Sequence, residues 1–462
     1  MEFVVGILLL LTFFGLAYYC IKGHNLMIGF LIITILWTAL SFLGAAFASP
    51  EFLSTTAFYS NGEPVKAIAI LNKIYQSAPE GWGTTLVNVC WGAWFGRVLM
   101  ETGIASTLIR KTVELGGDKP MVTIALLNIV TALIFTAMTG AGPVIAIGVI
   151  VLPIMMSLGV PKAIAMFSFM ESVAAGIYLN PVNFAQYRAF FIEVDEMPDF
   201  TLGWYAGKWG YAALVISVVV TTILAGIFLK KSKTSHAWAA QTRGASEQKD
   251  APLYTLILPI VPVVLKIWLD FSVIGGFVIA GFAALFLCGK MNKSFKENCQ
   301  LVNKLYYDGV VDTAPLVGFL LTLPMFNTCA SYASPYFKEV LGGIMPTNEY
   351  VVCALFAALS ILGFFRGPLT LYGCGAATLG VLSSVGHFSV PFLFCVFTIP
   401  ATTVNVGSCI TQSWIAWGLA YTKVESRDYL KLSIPFAYIC SILLYILTAF
   451  TVTGLGPEWF LS

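Results

Sequence analysis

Apolar residues run through this chain in unbroken, charge-free blocks at 3–19, 26–48, 121–138, 209–229 and 432–451. Each is close to the roughly 20 residues an α-helix needs to cross a hydrocarbon core. Against that background, Thr139-Gly-Ala-Gly-Pro143 and Phe365-Arg-Gly-Pro368 stand out, because each interrupts a long apolar stretch and they lie half a chain apart. Proline removes a backbone donor and glycine permits unusual dihedrals, so each segment should break a helix at membrane depth. Free backbone groups persist there only beside buried protein or a watery cavity. Matched breaks in two halves of a chain mark a transporter's binding site.

Composition makes the chain polytopic. Of 462 residues 58% are hydrophobic, 14% aromatic and only 10% charged, where a soluble protein carries about 25% charged residues; mean hydropathy is +0.86. The first block ends at Lys22 with no basic region before it and no small-residue cleavage site after it, which predicts a retained helix. The net charge of +2 says nothing about partners, there is no basic stripe for nucleic acid, and the ten cysteines, scattered through apolar segments without paired spacing, read as free thiols. His24, His236 and His387 fall in loops or near helix ends and suggest no metal. The sequence contains no HExxH, no GxSxG and no P-loop, so neither a membrane enzyme nor a primary pump is indicated.

One stretch, 231–251, is polar enough to be a linker, and it divides the chain into 1–230 and 252–462. Lys230, Lys231, Lys233 and Arg243 place it in the cytoplasm by the positive-inside rule, as do Lys22 and Arg110-Lys111 for their loops. The amino terminus is then outside.

The halves share an order. Gly142-Pro143 and Gly367-Pro368 are offset by 225 residues, each follows an apolar helix that begins after a proline (Pro120, Pro346), and each precedes a proline-marked restart at Pro161 or Pro391. The loop before the first break holds Arg110, Lys111 and Lys119, whereas its counterpart at 333–346 holds only Lys338 beside Glu339. Equivalent loops on opposite faces require inverted repeats. The expected fold is therefore an all-α polytopic membrane protein of about 10 to 12 membrane helices, in two inverted-topology repeats with re-entrant hairpins near 139–157 and 366–384.

Each break leads to a polar cluster that lipid would not tolerate: Tyr178-Leu-Asn-Pro-Val-Asn-Phe-Ala-Gln186 and Thr398-Ile-Pro-Ala-Thr-Thr-Val-Asn-Val-Gly-Ser-Cys-Ile-Thr-Gln412, with Asn180 mapping onto Asn405. Neutral amides and hydroxyls suit a small polar solute that must leave again; alternatively they only cap unwound helix ends. The candidate substrate-binding set is Thr139, Gly140, Gly142, Asn180, Asn183, Arg366, Gly367, Thr370, Asn405, Ser408 and Gln412, with Asn180 and Asn405 expected to face one another across one cavity. Arg366 is the sharpest single residue, since an arginine at membrane depth costs about 2.5–3.5 kcal/mol and implies a partner. A carboxylate bound by two parallel hydrogen bonds is one such partner; a snorkelling position or a structural pair with a buried acid are the others. Glu171 is the most convincing intramembrane acid: a carboxyl held away from water keeps its proton longer, so Glu171 is the candidate coupling residue unless it forms a salt bridge, for instance to Arg366. Asp308 and Asp312 read as the amino-terminal turn of a helix, and Glu101 with Arg97 as a local ion pair.

The run Gly81-Trp-Gly-Thr-Thr-Leu-Val-Asn-Val-Cys-Trp-Gly-Ala-Trp-Phe-Gly-Arg-Val-Leu-Met-Glu-Thr-Gly103, followed by the Gly-Pro break, the Asn-Pro cluster, the second break from Arg366, the Asn405 cluster and the Trp414 helix, resembles the gluconate permease family of the ion transporter superfamily. The likeness covers the chain from Gly81 onward. It departs from that family at Tyr178 to Asn183, where gluconate permeases have a histidine- and proline-rich segment, and at Thr139-Gly140, where an acid is expected. The resemblance implies proton-coupled uptake of sugar acids through two inverted repeats, each with a re-entrant hairpin. The expected protein is a secondary transporter that moves a sugar acid or other small carboxylate by alternating access in the bacterial inner membrane, with no cofactor and with a homodimer as a possible state. Sodium coupling is the open alternative for the ion. A sodium-coupled di- or tricarboxylate carrier, or a cation/proton antiporter relying on Glu171, is the runner-up, and a channel is the third class.

Overall fold

In the computed structural model the described residues are 2–22, 24–54, 56–60, 63–117, 119–191, 197, 199–232, 250–343, 346–373, 375–385 and 388–455. The expected linker lies almost wholly outside them, as do His236 and His387. Helices α1 (Glu2–Ile21) and α2 (Leu26–Phe47) are followed by α3 (Gly83–Glu101), α4 (Ile104–Gly116), α5 (Pro120–Phe135), α6 (Ala141–Ser157), α7 (Lys162–Ile177), α8 (Pro181–Arg188) and α9 (Tyr211–Lys231). After the linker come α10 (Val261–Leu269), α11 (Val273–Leu287), α12 (Phe295–Leu341), α13 (Glu349–Ala358), α14 (Gly375–Val385), α15 (Val390–Ile399), α16 (Ser413–Thr422) and α17 (Ser426–Thr451). The only strands among the described residues are the two-residue antiparallel pair Tyr59–Ser60 and Glu63–Pro64, so the fold is all-α.

Among the described residues, four stretches, Met27–Phe47, Leu202–Lys231, Val390–Thr422 and Ser426–Thr451, are long and apolar enough to cross a membrane. Two bent pairs raise this to six: α7 with α8 at 67°, and α13 with the 3-10 segment Ser360–Arg366 at 64°. Shorter apolar helices add Pro120–Phe135, Ala141–Ser157 and Val273–Leu287.

The order α5, break, α6, α7, break, α8, α9 recurs as α13, break, α14, α15, π-helical break Pro400–Ser408, α16, α17. One contact carries the relation directly. Tyr178 and Thr403, offset by the same 225 residues as the Gly-Pro pairs, share a hydroxyl hydrogen bond of 2.5 Å. Positions equivalent by that offset therefore touch. The centre of the molecule is the packing of α7, buried at every residue from Ile164 to Ile177, against the equally buried π-helical segment Pro400–Ser408.

Three sequence expectations change. Asp308 and Asp312 do not start a helix. They lie within α12, whose true start is Ser294 with a full capping box to Glu297. That helix, 47 residues long, rises about 70 Å, and it also absorbs most of the loop expected at 333–346. Arg97 does not pair with Glu101, which instead lies 3.6 Å from Lys290; α12 brings Asp312 to Arg97, and a bidentate carboxylate is a better partner for guanidinium than a neighbour on the same helix.

Candidate functional site

The first break is built by Gly140, whose φ of 97° with ψ of 169° is a conformation essentially confined to glycine. It lets the chain leave the end of α5 and restart as α6. Asn180 holds the break shut. Its Nδ2 donates to the carbonyls of Phe135 and Met138, both at 3.0 Å, while its Oδ1 accepts from Val182 N and Asn183 N and so caps α8. Thus one side chain satisfies backbone groups on both sides of the interruption.

The second break is made differently. Phe365 and Arg366 both adopt left-handed conformations, φ 55° and 61°, which cost non-glycine residues about 1–3 kcal/mol each and gather at functional sites. The strained segment is pinned by Phe365 N donating to Cys409 Sγ at 3.1 Å, Gly367 N to Phe364 O at 3.0 Å, and the Arg366 guanidinium, whose Nη2 donates to Gln412 Oε1 at 2.9 Å and Nη1 to Tyr372 O at 3.3 Å. Asn405, the counterpart of Asn180, has no hydrogen-bond partner among the described residues for either side-chain atom although it is fully buried. The two breaks are therefore in different states.

Between them lies a cavity of about 650 Å³. Its wall brings together Thr139, Gly140, Asn183, Arg366 and Gln412 from the candidate set, and adds Gln186, Asp312, Thr313, Tyr372 and Trp414. Gly142, Asn180, Gly367, Thr370, Asn405, Ser408 and Glu171 are not on that wall. Asn180 and Asn405 thus do not face one another across it: the first is consumed by capping and the second is enclosed in the π-helical segment. Thr139 Oγ1 donates to Asn183 Oδ1 at 3.1 Å, tying the first break to α8. Gly367 and Thr370 shape the turn after Arg366, with the amides of Gly373 and Gly375 donating to Thr370 O.

The wall carries opposite charges. Arg366 is the single arginine or lysine on it and Asp312 the single acid, among the described residues. Arg97 approaches Asp312 with Nε to Oδ2 and Nη2 to Oδ1, both at 2.6 Å, so the acid is neutralised by a fork of parallel bonds. Gly142 makes this possible, because a β-carbon there would overlap the Asp312 carboxylate. Glycine in the first break is thus needed for close approach as much as for dihedral freedom.

Glu171 is fully buried on α7, away from the cavity wall. Its Oε1 accepts from Ser408 Oγ at 2.7 Å and its Oε2 has no partner among the described residues, so it is not salt-bridged to Arg366. The carboxyl sits against Gly407, where a β-carbon would collide with Oε2, and Tyr429 donates to the Gly407 carbonyl. Ser433 Oγ donates to the Ser408 carbonyl at 3.2 Å. The acid of one half is thereby seated in the unwound segment of the other.

Sequence reading missed Asp312 as a cavity residue because its role depends on α12 crossing α3, a contact between positions 215 apart. Gln186 closes the first polar cluster, and only the placement of Tyr372 distinguishes it from its neighbours.

No protein-family model matches this chain, and no curated protein sequence does. Its fold is that of a polytopic membrane protein built on paired helix breaks. Among solved structures it is similar to the YdaH transporter of Alcanivorax borkumensis, described as having an unusual topology: 94% of this chain aligns with 100% of that one at a TM-score of 0.59 and 14% identity. A likeness at that identity defines a shared fold.

Proposed function

We propose that the protein is a secondary transporter that moves a small organic anion across the cytoplasmic membrane by alternating access. The observation that carries this reading is the cavity between two unlike helix breaks, with Arg366 on its wall and the opposing acid already neutralised by Arg97. A carboxylate entering there meets a net positive wall, and guanidinium offers it paired donors. The unequal states of the breaks, one capped by Asn180 and one with Asn405 unpartnered, support a cycle in which the halves exchange roles. The resemblance to gluconate permeases and the fold shared with a transporter point the same way.

The coupled ion is a proton carried at Glu171, which is buried, lacks a salt bridge and is in contact with the π-helical break, so its charge state acts on the segment that would have to move. A cation/proton antiporter is the second reading, favoured by the separation of Glu171 from the cavity wall. The test is reconstitution into proteoliposomes with labelled acids drawn from gluconate, lactate and succinate. An inside-alkaline pH gradient should drive accumulation of at least one. Glu171→Gln should abolish that accumulation while leaving exchange of the same acid intact. Accumulation that is indifferent to pH and requires sodium would transfer coupling to that ion, and proton release driven by sodium alone would favour the antiporter.

A further inference from the structure

One buried donor on the cavity wall is left unused by the carboxylate site. Gln186, on α8, is 1% exposed; its Oε1 accepts the Tyr372 hydroxyl at 2.6 Å and its Nε2 has no partner. A buried amide without an acceptor costs about 1–3 kcal/mol, and with the Tyr372 hydroxyl donating to the carbonyl end it is the NH₂ end that lacks one. Tyr372 also accepts Arg366 Nη1 on its own backbone carbonyl. One tyrosine therefore fixes a cation at its backbone and an amide donor at the tip of its side chain.

Resting on the carboxylate reading above, we propose that Gln186 is a specificity residue, whose Nε2 donates to a neutral acceptor oxygen of the substrate while Arg366 holds the carboxylate. The second acceptor is neutral because, apart from His24, the wall has no further basic side chain among the described residues, and the uncharged amide of Gln186 does not offset the desolvation of a second carboxylate. The substrate class is a monocarboxylate bearing a hydroxyl, carbonyl or amide oxygen several bonds from its carboxyl group. Tyr372 is the positioning residue that orients the amide.

The experiment compares pentanoate with 4-oxopentanoate in thermal-shift titrations of the purified full chain. The oxo acid should bind about tenfold more tightly, the value of one neutral hydrogen bond to an otherwise unpaired donor. Gln186→Met should bring the two acids to within about twofold of each other, because the donor that tells them apart is lost, whatever the loss of the Tyr372 bond does to both. Tyr372→Phe should also shrink the difference while Gln186 is still present, which a purely structural role for Gln186 would not produce. A preference that survives Gln186→Met, or wild-type protein that binds both acids equally, overturns the assignment of Gln186 alone. Wild-type protein that binds neither acid overturns the Arg366 carboxylate site and this inference with it.

Discussion

Arg366→Lys should weaken binding of the transported acid by roughly 10- to 100-fold, the loss of one or two charge-assisted hydrogen bonds. Lysine keeps the charge but not the planar fork, so the paired geometry disappears while the electrostatic attraction stays. The substitution does not relieve the left-handed backbone at this position, since lysine has the same β-carbon, and the unliganded protein should still fold. Thermal-shift titration with the acid that gives the largest stabilisation of the wild type separates the two effects, because ligand stabilisation follows affinity and concentration. Unchanged affinity in the lysine variant would move the carboxylate site elsewhere.

Arg97→Ala should act through Asp312. Removing one partner of a bidentate pair leaves an uncompensated carboxylate, with Asp312 side-chain exposure of 14% and Arg97 of 30%. A loss of about 2–3 kcal/mol in stability is expected, the lower part of the range for such pairs because Arg97 is partly solvated. The functional effect should be larger, since the cavity then presents a bare negative charge to an incoming anion. Adding Asp312→Asn to Arg97→Ala should restore much of the anion binding, as it removes the repelling charge together with its missing partner. A single Arg97→Ala variant that binds the acid normally would show that Asp312 does not face the substrate.

Much of the architecture was legible in the sequence because the bilayer makes a strict demand: long charge-free blocks have to be helices, and glycine with proline inside them has to be an interruption. The 225-residue offset located both breaks and, as the Tyr178–Thr403 contact shows, the meeting of the halves. What the pattern could not supply was tertiary. Local spacing favoured Arg97 with Glu101 on one helix, yet the crossing of α12 offers Arg97 a carboxylate in bidentate geometry, and the stronger interaction prevails. The offset likewise assigned Asn180 and Asn405 one shared role. The structure gives them different ones, because a side chain that caps a break in one half is released when the equivalent backbone is wound into a π-helix. Sequence symmetry reports what both halves are able to form, not which of them has formed it.

The claim that this cavity belongs to a carrier is tested most directly by counterflow. Proteoliposomes loaded with unlabelled acid and diluted into a trace of the labelled acid, with no pH gradient, should show a transient overshoot of label inside, since a carrier exchanges one bound anion for another at an alternately exposed site. Monotonic equilibration without overshoot, at a rate that does not saturate with acid concentration, would mean a channel and would contradict the account.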